Sequence, residues 1–132
     1  MMHDMTWIVV ADEGRARVFQ APGLTLDLEE VDDFVNVAHS ATTLTEKQAA
    51  EFSASERKEK ERDKFATQVA EYLEKARLDQ RFGRLRLIAE PKFLGMVLSG
   101  LSAQTRELIF EKLSKDYSSL STREIQERLQ QG

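Results

Sequence analysis

Two carboxylates stand where phosphoryl-transfer chemistry would need them. Asp12 follows the apolar run Trp7–Ala11, and Glu90 follows the run Leu85–Ala89. In neighbouring parallel strands those ends approach each other. A two-metal site takes carboxylates from strand ends and from a helix packed beside them. Here the helix could supply Glu71 or Glu74, but both read as surface residues of an amphipathic pattern, so the set is incomplete. Each strand-end acid also has a structural role at hand. Asp12 opens the turn Asp12-Glu13-Gly14, and Glu90 precedes Pro91, where an acid meets a helix dipole. Asp12 and Glu90 are therefore weak metal candidates, and neither a metal nor a cofactor is expected. His39 and His3 lack an Asp, Glu or Cys at ligand spacing. The serines form no Gly-x-Ser-x-Gly elbow, and there is no glycine-rich phosphate loop.

The cations are distributed unevenly. The net charge is −4. Residues 1–36 hold eight acids against two arginines, and residues 65–132 hold nine acids against eleven bases. Within the latter, Lys75, Arg77, Arg81, Arg84, Arg86 and Lys92 face only Asp79 and Glu90. Arg81, Arg84, Arg86 and Lys92 surround one short apolar run and form a candidate polyanion-binding set. The plainer alternative is a solvated helix end with strand flanks. Arg86 shares its strand side with Arg84 and Ile88, so an acidic partner such as Asp12 is a second possibility for one arginine.

The elements that would position these groups follow from periodicity. Trp7–Ala11 is apolar without interruption, as in a strand covered on both faces. Arg15–Phe19 alternates, as does Leu24–Glu29 after the turn signal Pro22-Gly23, which predicts a three-stranded antiparallel meander. Val31–Ser55 lacks periodicity. Its part at about 37–55 reads as a mobile loop, with His39 and Gln48 as candidate functional residues. Ser53-Ala54-Ser55-Glu56 has capping-box spacing. The following helix is wholly charged to Lys64, then carries the stripe Phe65, Val69, Leu73, Ala76 and stops at Phe82-Gly83. Leu85–Ala89 is a strand and Pro91 starts a helix that ends at Ser99-Gly100. Residues 101–116 admit a short helix capped by Ser102 and then either a strand at about 108–114 or more helix. Ser121-Thr122-Arg123-Glu124 is a capping box, with Leu120 and Ile125 as its staple.

With a strand at 108–114 the order is β-β-β-α-β-α-β-α. That predicts an α/β fold with a mixed five-stranded, ribonuclease H-like sheet and Trp7–Ala11 at its centre. A chain of 132 residues with 41% hydrophobic content is most simply one domain, 1–132. The absence of cysteine excludes disulfides and thiolate metal sites. The first apolar run is too short to span a bilayer and lacks a basic flank, so membrane insertion is not expected and a cytoplasmic location is.

Thr6–Phe19, the helix Phe65–Ala76, the junction Leu87-Ile88-Ala89-Glu90-Pro91-Lys92-Phe93-Leu94-Gly95 and the stretch Leu113–Tyr117 together resemble the bacterial host attachment proteins. That family is similar to the middle domain of archaeal and eukaryotic class I peptide-chain release factors and Pelota. The resemblance implies the fold above and a translation-related setting. The release-factor domain presents a Gly-Gly-Gln tip before its long helix. Residues 37–55 contain no glycine, and Gln48 lies between Lys47 and Ala49, so peptidyl-tRNA hydrolysis by that route is not expected. The reading is a non-catalytic binding module whose partner is RNA, the ribosome or another protein. The alternative is a hydrolase or metal-dependent nuclease on a ribonuclease H-like fold.

Overall fold

The computed structural model describes residues 4–36 and 54–131. Its elements are β1 (Met5–Ala11), β2 (Arg15–Pro22), β3 (Glu29–Val35), α1 (Ala54–Leu78), β4 (Arg84–Ala89), α2 (Pro91–Ser99), α3 (Ala103–Glu107), β5 (Ile109–Ser114) and α4 (Thr122–Gln131). The strands form one sheet in the order β3-β2-β1-β4-β5. β1–β2 and β2–β3 are antiparallel, while β1–β4 and β4–β5 are parallel. This is the expected mixed, ribonuclease H-like sheet with β1 central.

The uninterrupted apolar character of β1 has a direct cause. Every side chain from Thr6 to Ala11 is buried. Trp7, Val9 and Ala11 face one layer, with Phe65, Val69 and Leu73 of α1 and Phe93, Leu94 and Val97 of α2. Ile8 and Val10 face the other, with Phe19, Ile88 and Ile125 of α4. α1 and α2 approach closely where α2 ends: a Cβ on Gly100 would lie 3.0 Å from Ala70 Cβ.

Two sequence expectations change. The third strand is Glu29–Val35 and not 24–29, although Leu24–Glu29 alternates more cleanly. Residues 24–28 cross the α4 side as coil, with Leu28 against that core and Leu26 O accepting from Gln126 Nε2 at 2.8 Å. The real strand hides its period because of a bulge. Val18 pairs Asp32 and Phe19 pairs Glu30, so Val31 is an extra residue. Val31 and Phe34 then share the α1 side three residues apart. Arg15 pins this acidic edge strand through Asp33, at 2.9 and 2.5 Å. The second change is the end of α1, which stops at Leu78 and not at Phe82-Gly83. Arg81 N donates to Ala76 O and Gln80 N to Arg77 O, both at 2.9 Å, which closes a Schellman motif. Its left-handed position is Gln80, at φ 58. Left-handed backbone costs a residue with a Cβ about 1–2 kcal/mol, and glycine escapes that cost.

Residues 101–116 form the short helix capped by Ser102, α3, and then the strand β5 rather than more helix. A second bulge lies here, with Leu85 opposite Ile109 and Arg86 opposite Glu111, so that Phe110 is the extra residue. The expected loop with His39 and Gln48 lies outside the described residues up to Ser53, and the chain is helical from Ala54.

α4 is held by the predicted devices and by one unforeseen one. Ser121 N donates to Glu124 Oε1 and Glu124 N to Ser121 Oγ, both at 3.1 Å. Leu120 and Ile125 both join the α4-side core. The unforeseen device is Arg17 of β2, buried at 7% exposure. Its Nη1 donates to Leu120 O and, at 3.3 Å, to Ser118 O, tying the turn before α4 to the sheet. Arg17→Gln should leave those two carbonyls short of a buried donor and destabilise the fold by about 1–3 kcal/mol. Amide exchange should accelerate in residues 122–131 ahead of β1. Uniform acceleration across the domain would show that Arg17 does not act through α4.

Candidate functional site

In α/β sheets, ligands gather in the crevice beyond the carboxyl ends of the parallel strands. Here that crevice is a cavity of about 320 Å³ lined by Asp12, Glu13, Arg62, Glu90 and Asp116. The fold thus brings Asp12 and Glu90 to one place, as their positions at the ends of paired strands require. Their oxygens, however, already serve the protein. Asp12 Oδ1 accepts from Gly14 N and Arg15 N, both at 2.8 Å, and Oδ2 lies 2.7 Å from Ser118 Oγ. Glu90 is the N-cap of α2, its oxygens accepting from Lys92 N at 3.0 Å and Phe93 N at 3.2 Å. Asp116 and Ser118 were not singled out in the sequence, because no local pattern marks them. The Ser118 hydroxyl also lies 2.7 Å from Asp116 Oδ1, and with one proton it donates to one carboxylate at a time. Among the described residues no three His, Asp or Glu side chains are placed to hold a metal ion. Glu71 is exposed on α1, and Glu74 is engaged elsewhere.

Glu74 organises the junction of α1 and α3. It accepts from Ser102 N at 2.6 Å and Ser102 Oγ at 3.0 Å, and Arg77 Nη2 lies 3.4 Å away. Ser102 in turn caps α3 through Thr105 N at 3.2 Å. Burial pushes the Glu74 carboxyl up, but the donors from Ser102, Thr105 and Arg77 together outweigh it and hold the group below the usual carboxylate range. Nearby, burial and the bond to Asp32 push the Tyr72 hydroxyl up to about 12.

The cationic candidates split into three environments. Arg81 is exposed, with its guanidinium carbon 4.9 Å from the Trp7 ring centre. Arg84 opens β4 with Nη1 buried and without a hydrogen-bond partner among the described residues. Arg86 lies 3.1 Å from Glu111 Oε2 and 5.0 Å from the Phe110 ring centre. Its acidic partner is thus Glu111, supplied by the β5 bulge, and not Asp12. Lys92 is exposed on the first turn of α2, at the opposite end of β4 from Arg81 and Arg84. A second cavity, of about 340 Å³, is lined by Arg77, Gln80, Phe82, Gly83, Gln104 and Leu108, which include both chain neighbours of Arg81.

Strand order and connections define an α/β protein with a ribonuclease H-like sheet. Residues 7–129 match the family described as "Protein required for attachment to host cells", and the chain belongs to that family. No curated protein shows significant similarity to it. Among solved structures, a Ppx/GppA phosphatase from Aquifex aeolicus aligns with 83% of the chain at 14% identity and a TM-score of 0.42. The chain corresponds to 35% of that protein's length. No helix among the described residues is long and apolar enough to cross a membrane.

Two outcomes are expected. Because the folded carboxyl of Glu74 is held low, its stabilising contribution is complete above its unfolded value and is lost as pH falls through the lowered folded value. Glu74→Gln should lower the melting temperature at neutral pH and make its decline in acid shallower. Parallel curves for the two proteins would remove Glu74 as a source of acid lability. Arg86→Gln should also lower the melting temperature, since it leaves Glu111 without its ion-pair partner and removes the contact with Phe110. An unchanged melting temperature would mean that the pair is energetically idle.

Proposed function

We propose that this chain is a non-catalytic binding module that engages RNA through the end of the sheet where β1 and β4 begin. The observation that carries the reading is the state of the arginines there. Arg81 is exposed and lies over the Trp7 ring, and half-buried Arg84 follows three residues later. Guanidinium groups suit phosphate through their planar fork. At the opposite end, Asp12 and Glu90 accept from backbone amides, which favours a structural role over metal-dependent cleavage. The similarity of the family to the release-factor middle domain supports an RNA or ribosomal partner and a cytoplasmic setting. A requirement for attachment to host cells would then reflect an indirect effect of that binding.

Binding of labelled single-stranded RNA, followed by fluorescence anisotropy across a salt series, tests this reading. Affinity should fall steeply with salt, because phosphate contacts release counterions. Replacing Arg81 and Arg84 together by glutamine should weaken binding and flatten the logarithmic salt slope by roughly one to one and a half units. The fold should survive, since the apolar members of β4, Leu85, Leu87 and Ile88, remain. Failure to bind at low salt would remove RNA as the partner.

A further inference from the structure

We infer that the cavity between the end of α1 and the start of β5 is a pocket for one nucleobase of a single-stranded nucleic acid, with adenine the best match. The inference rests on the RNA-binding reading and names what that surface would recognise. Three observations support it.

The first is continuity. Gln80, Phe82 and Gly83 line the cavity, and Arg81 and Arg84 stand within and directly after that same segment. The Arg81 guanidinium lies 4.9 Å from the Trp7 ring centre, and that ring is 5.0 Å from the ring of Phe82 on the cavity wall, so a backbone phosphate held by Arg81 would lie on the same side of the sheet as the opening. The second is chemistry. The volume of about 340 Å³ is at the small end of ligand pockets and suits one planar group. Phe82 and Leu108 are the apolar residues of the wall, and the exposed wall residues Gln80 and Gln104 carry carboxamides. A carboxamide offers a donor and an acceptor side by side, the pattern that pairs with the adenine N6/N7 edge through two bonds. Arg77 is already fixed, its Nε donating to Thr105 Oγ1 at 2.8 Å with Glu74 beside it, so it shapes the wall without moving.

The third observation is a local rule broken at this spot. Gln80 occupies the left-handed position of the Schellman motif, where glycine would be free of strain. What glutamine has there and glycine lacks is a side chain on the cavity wall. Backbone strain retained at a pocket is the kind of outlier from which a functional role is inferred.

The same substitution makes the test clean, because Gln80→Gly relieves strain and so should not unfold the protein. Anisotropy would compare an oligoadenylate with a matched abasic oligomer at one moderate salt concentration. The parent protein should prefer oligoadenylate by about tenfold. Gln80→Gly should abolish that preference while keeping the salt slope and at least the parent melting temperature, and Gln104→Ala should reduce it independently. Equal affinity for the two oligomers, or a preference that survives Gln80→Gly, overturns the pocket and leaves the arginine-based reading standing. Absence of binding to either oligomer at low salt overturns both.

Discussion

The double burial of β1 is the constraint from which the rest of this structure follows. A strand with Trp7, Ile8, Val9 and Val10 at 0–1% exposure must have a strand on either side and a helical layer on each face. Each such large side chain contributes about 1.5–3 kcal/mol on leaving water. No single helix could cover both faces, so the chain returns by α1 and α2 on one side and by α4 on the other. The two layers are unequal. The first is wide and aromatic, with Trp7 between Tyr72 and Phe82 at ring distances of 5.9 and 5.0 Å. The second is built largely on Ile125 and Leu129 of α4, with Leu28, Leu113, Tyr117 and Leu120 around them.

That inequality accounts for the polar groups recruited to the thinner side. Arg17 is buried there and reaches carbonyls of the turn before α4, while Ser118 in that turn reaches Asp12. A short helix with little apolar surface gains its position from directional bonds where area alone is insufficient. On the aromatic side the balance is reversed. Trp7 Nε1 is buried without a hydrogen-bond partner among the described residues, and an unmade bond of this kind costs about 1–3 kcal/mol. The indole's large buried area offsets that cost.

The parallel strands also give the molecule two different ends. Where β1 and β4 finish, Asp12, Glu13, Glu90 and Asp116 surround Arg62. Where they begin, Arg77 lines the second cavity, Arg81 lies over Trp7 and Arg84 opens β4. The first end is acidic but occupied by turn and cap bonds. The second is basic, with Arg81 exposed and Arg84 half-buried. A ribonuclease H-like sheet is thus compatible with a binding role at the end where catalytic carboxylates are not placed.

Local patterns were legible wherever the cause of an element lies within a few residues. The run Trp7–Ala11, the cap at Glu90 before Pro91, Ser102 before α3 and the box Ser121–Glu124 needed no distant partner to be read. Family resemblance was legible in the same stretches. The misread elements have distant causes. β3 forms from an acidic stretch because β2 supplies its ladder, Arg15 its countercharge and a bulge its odd spacing, while the better-alternating Leu24–Glu29 is drawn across the α4 side as coil. The four cations around β4 were one cluster in sequence, yet Glu111 claims Arg86 and the length of the strand separates Lys92 from Arg81 and Arg84. The sequence by itself therefore determined the order and type of most elements and the central place of β1, since hydrophobic periodicity and capping act over one or two turns. Only the tertiary structure decided which charges meet, where the bulges fall and that Gln80 lines a cavity, since those depend on strand register between residues far apart along the chain.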